Sequence, residues 1–140
     1  MKEYKGVKYT AFYNDHIGHY CGYVRLPDNH PFVKLLSKKR WFQLGRSNPR
    51  RYRYDYDAVP VEAHGGLTFG EYINDKKLDF PQGFTKGWWI GWDYGHICDK
   101  YRFTMARYAT CPDWTEELVE KECKRVIEQI LKFENPELLG

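Results

Sequence analysis

Early in the chain, β-branched and aromatic residues gather in short runs that end at turn formers. Residues 6–13 (GVKYTAFY) close at Asn14-Asp15, and residues 18–26 (GHYCGYVRL) close at Pro27-Asp28-Asn29. Two such runs a few residues apart predict a β-hairpin. Beyond His30-Pro31, residues 32–39 are expected as a short helix or turn, and residues 41–44 form an apolar patch whose state the pattern leaves open. Tyrosine then alternates with charge: an extended chain places Tyr52, Tyr54 and Tyr56 on one face and Arg51, Arg53, Asp55 and Asp57 on the other. Residues 59–64 and 67–69 flank Gly65-Gly66, which reads as a two-residue hairpin turn, since both central positions of the tight type want φ above zero. Pro60 is then expected on an edge strand or at a bulge. Residues 74–83 read as loop, and residues 87–93 as a tryptophan-rich strand with Trp88, Ile90 and Trp92 on one face and Trp89 and Asp93 on the other.

The pattern changes to helical spacing near the C-terminus. From Asp113 or Thr115 as N-cap, with Glu116 and Glu117 in the first turn, Val119, Cys123, Val126, Ile127, Ile130 and Leu131 form an apolar stripe reaching about Phe133. Glu117/Lys121 and Glu120/Lys124 have the favourable i,i+4 order, and Asn135-Pro136 ends the helix. The prediction is one α+β domain over residues 1–140: a mainly antiparallel sheet with one long C-terminal helix packed on a face.

Composition adds three points. Tyrosine, phenylalanine and tryptophan make up 18% of the chain, while the mean hydropathy is −0.74, so much aromatic surface is expected to keep a wet edge. A net charge of +3 is too small to assert nucleic-acid binding by itself. Cys21, Cys98, Cys111 and Cys123 form no Cys-x-x-Cys pair, and no apolar signal segment follows Met1-Lys2-Glu3-Tyr4, so reduced thiols and a cytoplasmic location are expected. No apolar run approaches the roughly 20 residues that cross a bilayer, so no membrane is expected.

Site chemistry concentrates in two blocks, His64-Gly65-Gly66-Leu67-Thr68 and the stretch from Trp88 to Asp99. Asp93, His96 and Asp99 are spaced three and three, so they converge only if the chain leaves the strand and turns at Gly95. If His64 meets them, two imidazoles and two carboxylates form a mixed N/O set suited to zinc or manganese, and a metal-held hydroxide could attack a phosphoester. The structural alternative gives His64 a turn-capping role and makes Asp93 and Asp99 turn-forming carboxylates. A non-catalytic site uses the same region without a cofactor. Trp88, Trp89, Trp92 and Tyr94, with Tyr72, offer planes for a purine, Gly65, Gly66 and Thr68 let a phosphate approach the backbone, and Arg102, Arg107, Arg51 or Arg53 could fork onto pyrophosphate. Core packing is the competing role for at least one alternating set of tryptophans.

Several enzyme classes drop out. Ser37 and Ser47, the only serines, lack the Gly-x-Ser-x-Gly elbow that a lipase-like His-Gly-Gly loop requires. Cys98 as a nucleophile competes with the commoner fate of a buried thiol. Neither a phosphate loop, nor a dinucleotide fingerprint, nor twin His-x-Thr motifs are present. For the Tyr/Arg segment, an amphipathic strand with a solvated face stands against an anion-binding edge, where arginine forks suit phosphate.

His30-Pro31, Val61-Glu62-Ala63-His64-Gly65-Gly66-Leu67-Thr68-Phe69, and Trp89-Ile90-Gly91-Trp92-Asp93-Tyr94-Gly95-His96 with Asp99 resemble a family of small uncharacterised proteins of phages, prophages and other mobile elements. That family reads approximately VHGGLTF, then WWxGFDxxHxGD, then a C-terminal helix. Trp92 stands where the family tends to have Phe, Cys98 where Gly is usual, and residues 36–50 resemble an insertion. The resemblance carries over no activity; it implies an accessory, anti-defence role in the host cytosol. The leading expectation is therefore a phage-type protein that sequesters a small nucleotide-like ligand. A metal-dependent hydrolase using His64, Asp93, His96 and Asp99 is the first alternative. The second is an inhibitor that binds a host defence protein. Sequestering proteins are often homo-oligomers, but the sequence shows no seam.

Overall fold

The computed structural model describes residues 2–15, 17–43, 50–74, 84–95 and 114–133. Its centre is an antiparallel sheet of five strands in the order β1-β2-β3-β7-β6, formed by β1 (Lys2–Tyr4), β2 (Val7–Asn14), β3 (His19–Arg25), β6 (Phe69–Ile73) and β7 (Gly87–Asp93). The expected hairpin is β2 and β3, paired from Tyr9↔Val24 to Asn14↔His19. The pattern did not anticipate β1. It is added by Lys5 and Gly6, both at positive φ (49° and 81°), which turn the chain tightly so that Tyr4 faces Val7.

A second, separate sheet of two strands joins β4 (Lys39–Gln43) to β5 (Arg50–Tyr54), so residues 41–43 of the apolar patch are strand, and residue 44 lies outside the described residues. Tyrosine alternation stops at Tyr54, because Tyr56–Ala58 form a single 3-10 turn after the buried Asp55. Residues 59–64 are not a strand flanking a hairpin, and Pro60 lies on no sheet edge. The backbone there finds its partners on a helix instead: Glu62 N–H donates to Gln129 Oε1 (2.8 Å), while Gln129 Nε2 (2.7 Å) and Arg125 Nη2 (2.9 Å) donate to the Glu62 carbonyl. A side-chain amide thus does for one residue what a neighbouring strand would do.

That helix is α2 (Glu116–Lys132), capped by Thr115, whose Oγ1 accepts from Leu118 N–H at 3.2 Å. Val119, Cys123, Val126, Ile127 and Ile130 are buried against the sheet, whereas Leu131, one step off the stripe, stays 40% exposed. Glu120 pairs with Lys2 of β1, and Lys124 lies over the Tyr4 ring, so the wet side of the helix also reaches the sheet. The short helix α1 (Pro31–Leu36) is fixed by His30 at both ring nitrogens. Nδ1 accepts from Phe32 N–H (3.1 Å), and Nε2 donates to the Ile130 carbonyl (2.8 Å), which ties the start of α1 to the end of α2.

Strand alternation sorts the sheet into two faces. Val7, Tyr9, Ala11, Val24, Leu26, Ile90, Trp92 and Tyr94 form the core with α1 and α2. Burying each large side chain of this kind contributes on the order of 1.5–3 kcal/mol. Trp92 lies flat on β3: a Cβ at Gly22 would stand 2.7 Å from its ring. The residues between them, including Cys21, Tyr23, Trp89 and Asp93, belong to the other face.

Candidate functional site

The double-glycine turn and the end of β7 meet. Gly65 and Gly66 adopt positive φ (68° and 85°) as expected, and Gly66 N–H bonds the Ala63 carbonyl (2.8 Å) to close the turn. Thr68 then docks on β7 twice, with its N–H on the Gly91 carbonyl (2.9 Å) and its Oγ1 donating to Asp93 Oδ2 (3.0 Å). Asp93 Oδ1 accepts from Gly95 N–H at 3.0 Å, so both carboxylate oxygens are held.

Each block splits across the sheet at this junction. Tyr94 is on the core side, and the His64 ring stacks on it with centroids 4.4 Å apart and planes 12° from parallel. Trp114, just before α2, meets both rings, at 4.7 Å from His64 and 4.5 Å from Tyr94. The Tyr94 hydroxyl accepts from Trp92 Nε1 at 3.1 Å. His64 therefore closes an aromatic clasp between the glycine turn, the sheet and the helix, while Asp93, one residue away from Tyr94, belongs to the opposite face.

Among the described residues, the histidine on the Asp93 face is His19. Its β-strand position puts it on the side of Cys21 and Tyr23, and a Cβ on Gly95 would meet its ring at 2.5 Å, so the imidazole lies against the Gly95 backbone. His19 Nδ1 is 3.0 Å from the Tyr20 carbonyl and 3.9 Å from Cys21 Sγ. Cys21 pairs across the strands with Asp93, and its thiol shares a hydrogen bond with Tyr23. Burial, reinforced by the Asp93 charge, pushes the Cys21 thiol up to about 11. Burial likewise raises Tyr23, with Cys21 and Asp93 adding to the shift. Both groups are thus neutral near pH 7, which suits hydrogen bonding and disfavours Cys21 as a nucleophile.

Aromatic rings enclose this polar group. Tyr23 lies over Gly91, where a Cβ would come within 2.4 Å of its ring, and it stacks on Phe12 (5.8 Å) with the edges of Phe69 (5.2 Å) and Phe84 (5.1 Å) beside it. Trp89 is fully buried, donates from Nε1 to the Thr85 carbonyl (2.7 Å) and packs on Phe84 at 4.6 Å. The Thr85 hydroxyl is a buried polar atom without a hydrogen-bond partner among the described residues.

Of the residues expected to bind a ligand, Gly65, Gly66 and Thr68 are exposed. Trp92 and Tyr94 belong to the core, Trp89 is buried on the far face, and Trp88 is half-buried between the edges of Tyr54 (4.9 Å) and Tyr72 (5.3 Å). Arg102, His96, Asp99 and Cys98 lie outside the described residues. Among those described, no three His, Cys, Asp or Glu side chains are grouped to hold a metal ion. Sequence reasoning singled out neither His19, Cys21 nor Tyr23 for the site. Their period-two spacing was visible, but the register that sets Cys21 opposite Asp93 was not.

No described helix is long and apolar enough to cross a membrane. In comparison with known proteins, the chain matches no family model, no curated protein and no solved structure.

Proposed function

We propose that this chain is a small-ligand-binding protein that sequesters a nucleotide-like molecule at the junction of the double-glycine turn and the end of β7. The observation that carries this reading is the Thr68–Asp93 bond, which fixes an oriented carboxylate beside an exposed Gly-Gly backbone. The two elements supply complementary chemistry. The glycine backbone has no side chains to hold a phosphate away, and Asp93 can accept from a ribose hydroxyl or a base amine. The neutral Cys21 and Tyr23, with His19 beside them, supply further hydrogen-bonding groups set among Phe12, Phe69 and Phe84. The resemblance of the two blocks to phage and mobile-element proteins makes defence-signalling nucleotides the first compounds to try.

A binding role uses the residues as they stand. A metal set joining His64 to Asp93 requires the imidazole to leave its stack on Tyr94 and cross to the other face, at the cost of an aromatic pair worth about 0.5–1.5 kcal/mol beyond its buried area. The test is thermal shift with a panel of mono-, di- and cyclic nucleotides, followed by heat release and chromatography of the ligand. Sequestration predicts a raised Tm and recovery of unchanged nucleotide, with the shift lost in Thr68→Val and Asp93→Asn. Recovery of a converted product establishes hydrolysis instead. A panel that leaves Tm unmoved removes the nucleotide reading and favours an inhibitor of a host protein.

A further inference from the structure

His30 lies outside the candidate site and outside the sheet, yet it holds both helices. The residues preferred as acceptors for the first N–H groups of a helix are Ser, Thr, Asp and Asn, none of which changes charge near neutral pH. At the start of α1 the accepting atom is a ring nitrogen instead: Nδ1 takes the Phe32 N–H at 3.1 Å. Nε2 lies 2.8 Å from the Ile130 carbonyl, in the last turn of α2. An amide on one side and a carbonyl on the other admit a single arrangement, in which Nδ1 is bare and Nε2 carries the hydrogen. That arrangement is the neutral imidazole.

The two helix ends answer a second proton with opposite sign. At α2 the ring gains, because Nε2–H becomes a charge-assisted donor to a carbonyl at a helix C-terminus, where positive charge is favoured. At α1 it loses: a hydrogen on Nδ1 points at the hydrogen of the Phe32 amide, and the cap bond has no acceptor left. The charged groups on the elements that meet the ring are Lys34 on α1, Glu128 and Lys132 on α2, and the Arg25–Asp28 pair ahead of the cap. Among the described residues none of these bonds a ring nitrogen, so the two backbone groups set the response to acid.

We propose that His30 is an acid-sensitive latch, shared by the two helices when neutral, which stays with α2 when protonated and lets the first turn of α1 open. With six residues, α1 is too short to hold without tertiary support. Its far end is wedged against the sheet, where Leu36 fills the space over Gly70 of β6 and a Cβ would stand 2.5 Å from its Cδ1. Phe32 packs on Phe133 with centroids 4.7 Å apart. Opening therefore begins at the capped backbone, while the buried Phe32 and Leu36 side chains keep the rest of α1 in place. The latch is closed in alkaline solution and is lost as the ring protonates.

Solution NMR of the intact chain between about pH 8 and pH 5, the span in which histidines change charge, tests this. Long-range proton–nitrogen correlation spectra are expected to show the Nε2–H tautomer of His30 at the alkaline end. On acidification the Phe32 amide shift should follow the His30 ring titration with one midpoint. Its hydrogen-exchange protection, corrected for intrinsic pH dependence, should fall about fivefold, the factor for an N-cap worth about 1 kcal/mol. Amides of α2 from Val119 to Ile130 should keep their protection. His30→Asn supplies a cap acceptor that takes up no proton, and it is expected to hold the Phe32 amide steady over the same span. An Nδ1–H tautomer at the alkaline end overturns the proposal, as does a Phe32 amide that ignores the ring titration. An equal response in His30→Asn assigns the effect to another group, and protection lost in α1 and α2 together is acid unfolding; either result overturns it as well.

Discussion

The two faces of the central sheet are built from the same strands, one residue out of step, yet they differ in kind. The face under α1 and α2 is dry: Val24, Ile90 and Trp92 from neighbouring strands meet Val119, Cys123, Val126 and Ile130, each with at most 1% of its surface exposed. Its polar atoms are few and paired within the core, as when Trp92 Nε1 donates to the Tyr94 hydroxyl. The opposite face mixes Phe12, Tyr23, Phe69 and Trp89 with His19, Cys21 and Asp93. The helical layer consumes one face for stability, and groups able to recognise a ligand gather on the other. At the end of β7 the contrast narrows to adjacent residues: Tyr94 goes to the core and the His64 clasp, Asp93 to the polar cluster.

Substitutions can break this contrast in order of size. Trp92→Ala removes the largest core side chain resting on Gly22 and is expected to cost about 3–5 kcal/mol in urea unfolding. A loss below 1 kcal/mol would mean that the helix-side face is not the stabilising one. Gly91→Ala acts on the other face, forcing the Tyr23 ring from its seat; overpacking of this kind costs about 1–3 kcal/mol. It should leave the helical signal intact in circular dichroism while abolishing any nucleotide-induced rise in Tm. Retained ligand response in Gly91→Ala would detach Tyr23 from the site.

The thiols sharpen the comparison through pH. Burial raises Cys21 from an ordinary value of 9.0 to about 11, so the folded state holds a proton that the unfolded state releases. The stabilisation is complete below pH 9 and declines as pH climbs toward 11. Cys123, raised by burial on the core side, adds to the same decline. Replacing either by alanine should flatten the fall in urea midpoint between those pH values, and iodoacetamide should label native Cys21 far more slowly than a free thiol at pH 8. The smallest effect is expected at Thr85. Its buried hydroxyl has no partner among the described residues, so Thr85→Val should keep or slightly raise Tm, whereas a clear drop would reveal a hydrogen bond that this hydroxyl makes.

Much of the fold was legible because it depends on local pattern. Thr115 as cap and the stripe from Val119 to Ile130 specify α2, period-two alternation specifies β2, β3 and β7, and Gly65-Gly66 declares a positive-φ turn. The candidate site was half legible. Thr68 and Asp93 stood in the two blocks richest in site chemistry, and the Thr68 Oγ1–Asp93 bond joins them. Which imidazole accompanies Asp93 was not legible. His64 is near in pattern but lies on the Tyr94 side, and His19, distant in sequence, reaches the Gly95 backbone through the β3–β7 register.

The sequence by itself determined the α+β class, the helix and the faces of the strands, since propensity, capping and periodicity act within a few residues. Tertiary structure alone decided that Glu62 satisfies its backbone on Gln129 and Arg125 of α2 instead of a strand, and that Tyr54 anchors the β4–β5 sheet to Trp88. It also set Cys21 opposite Asp93. Those outcomes depend on strand order and register, which minimise unpaired backbone and apolar surface over the whole chain, and no local window contains the competing partners.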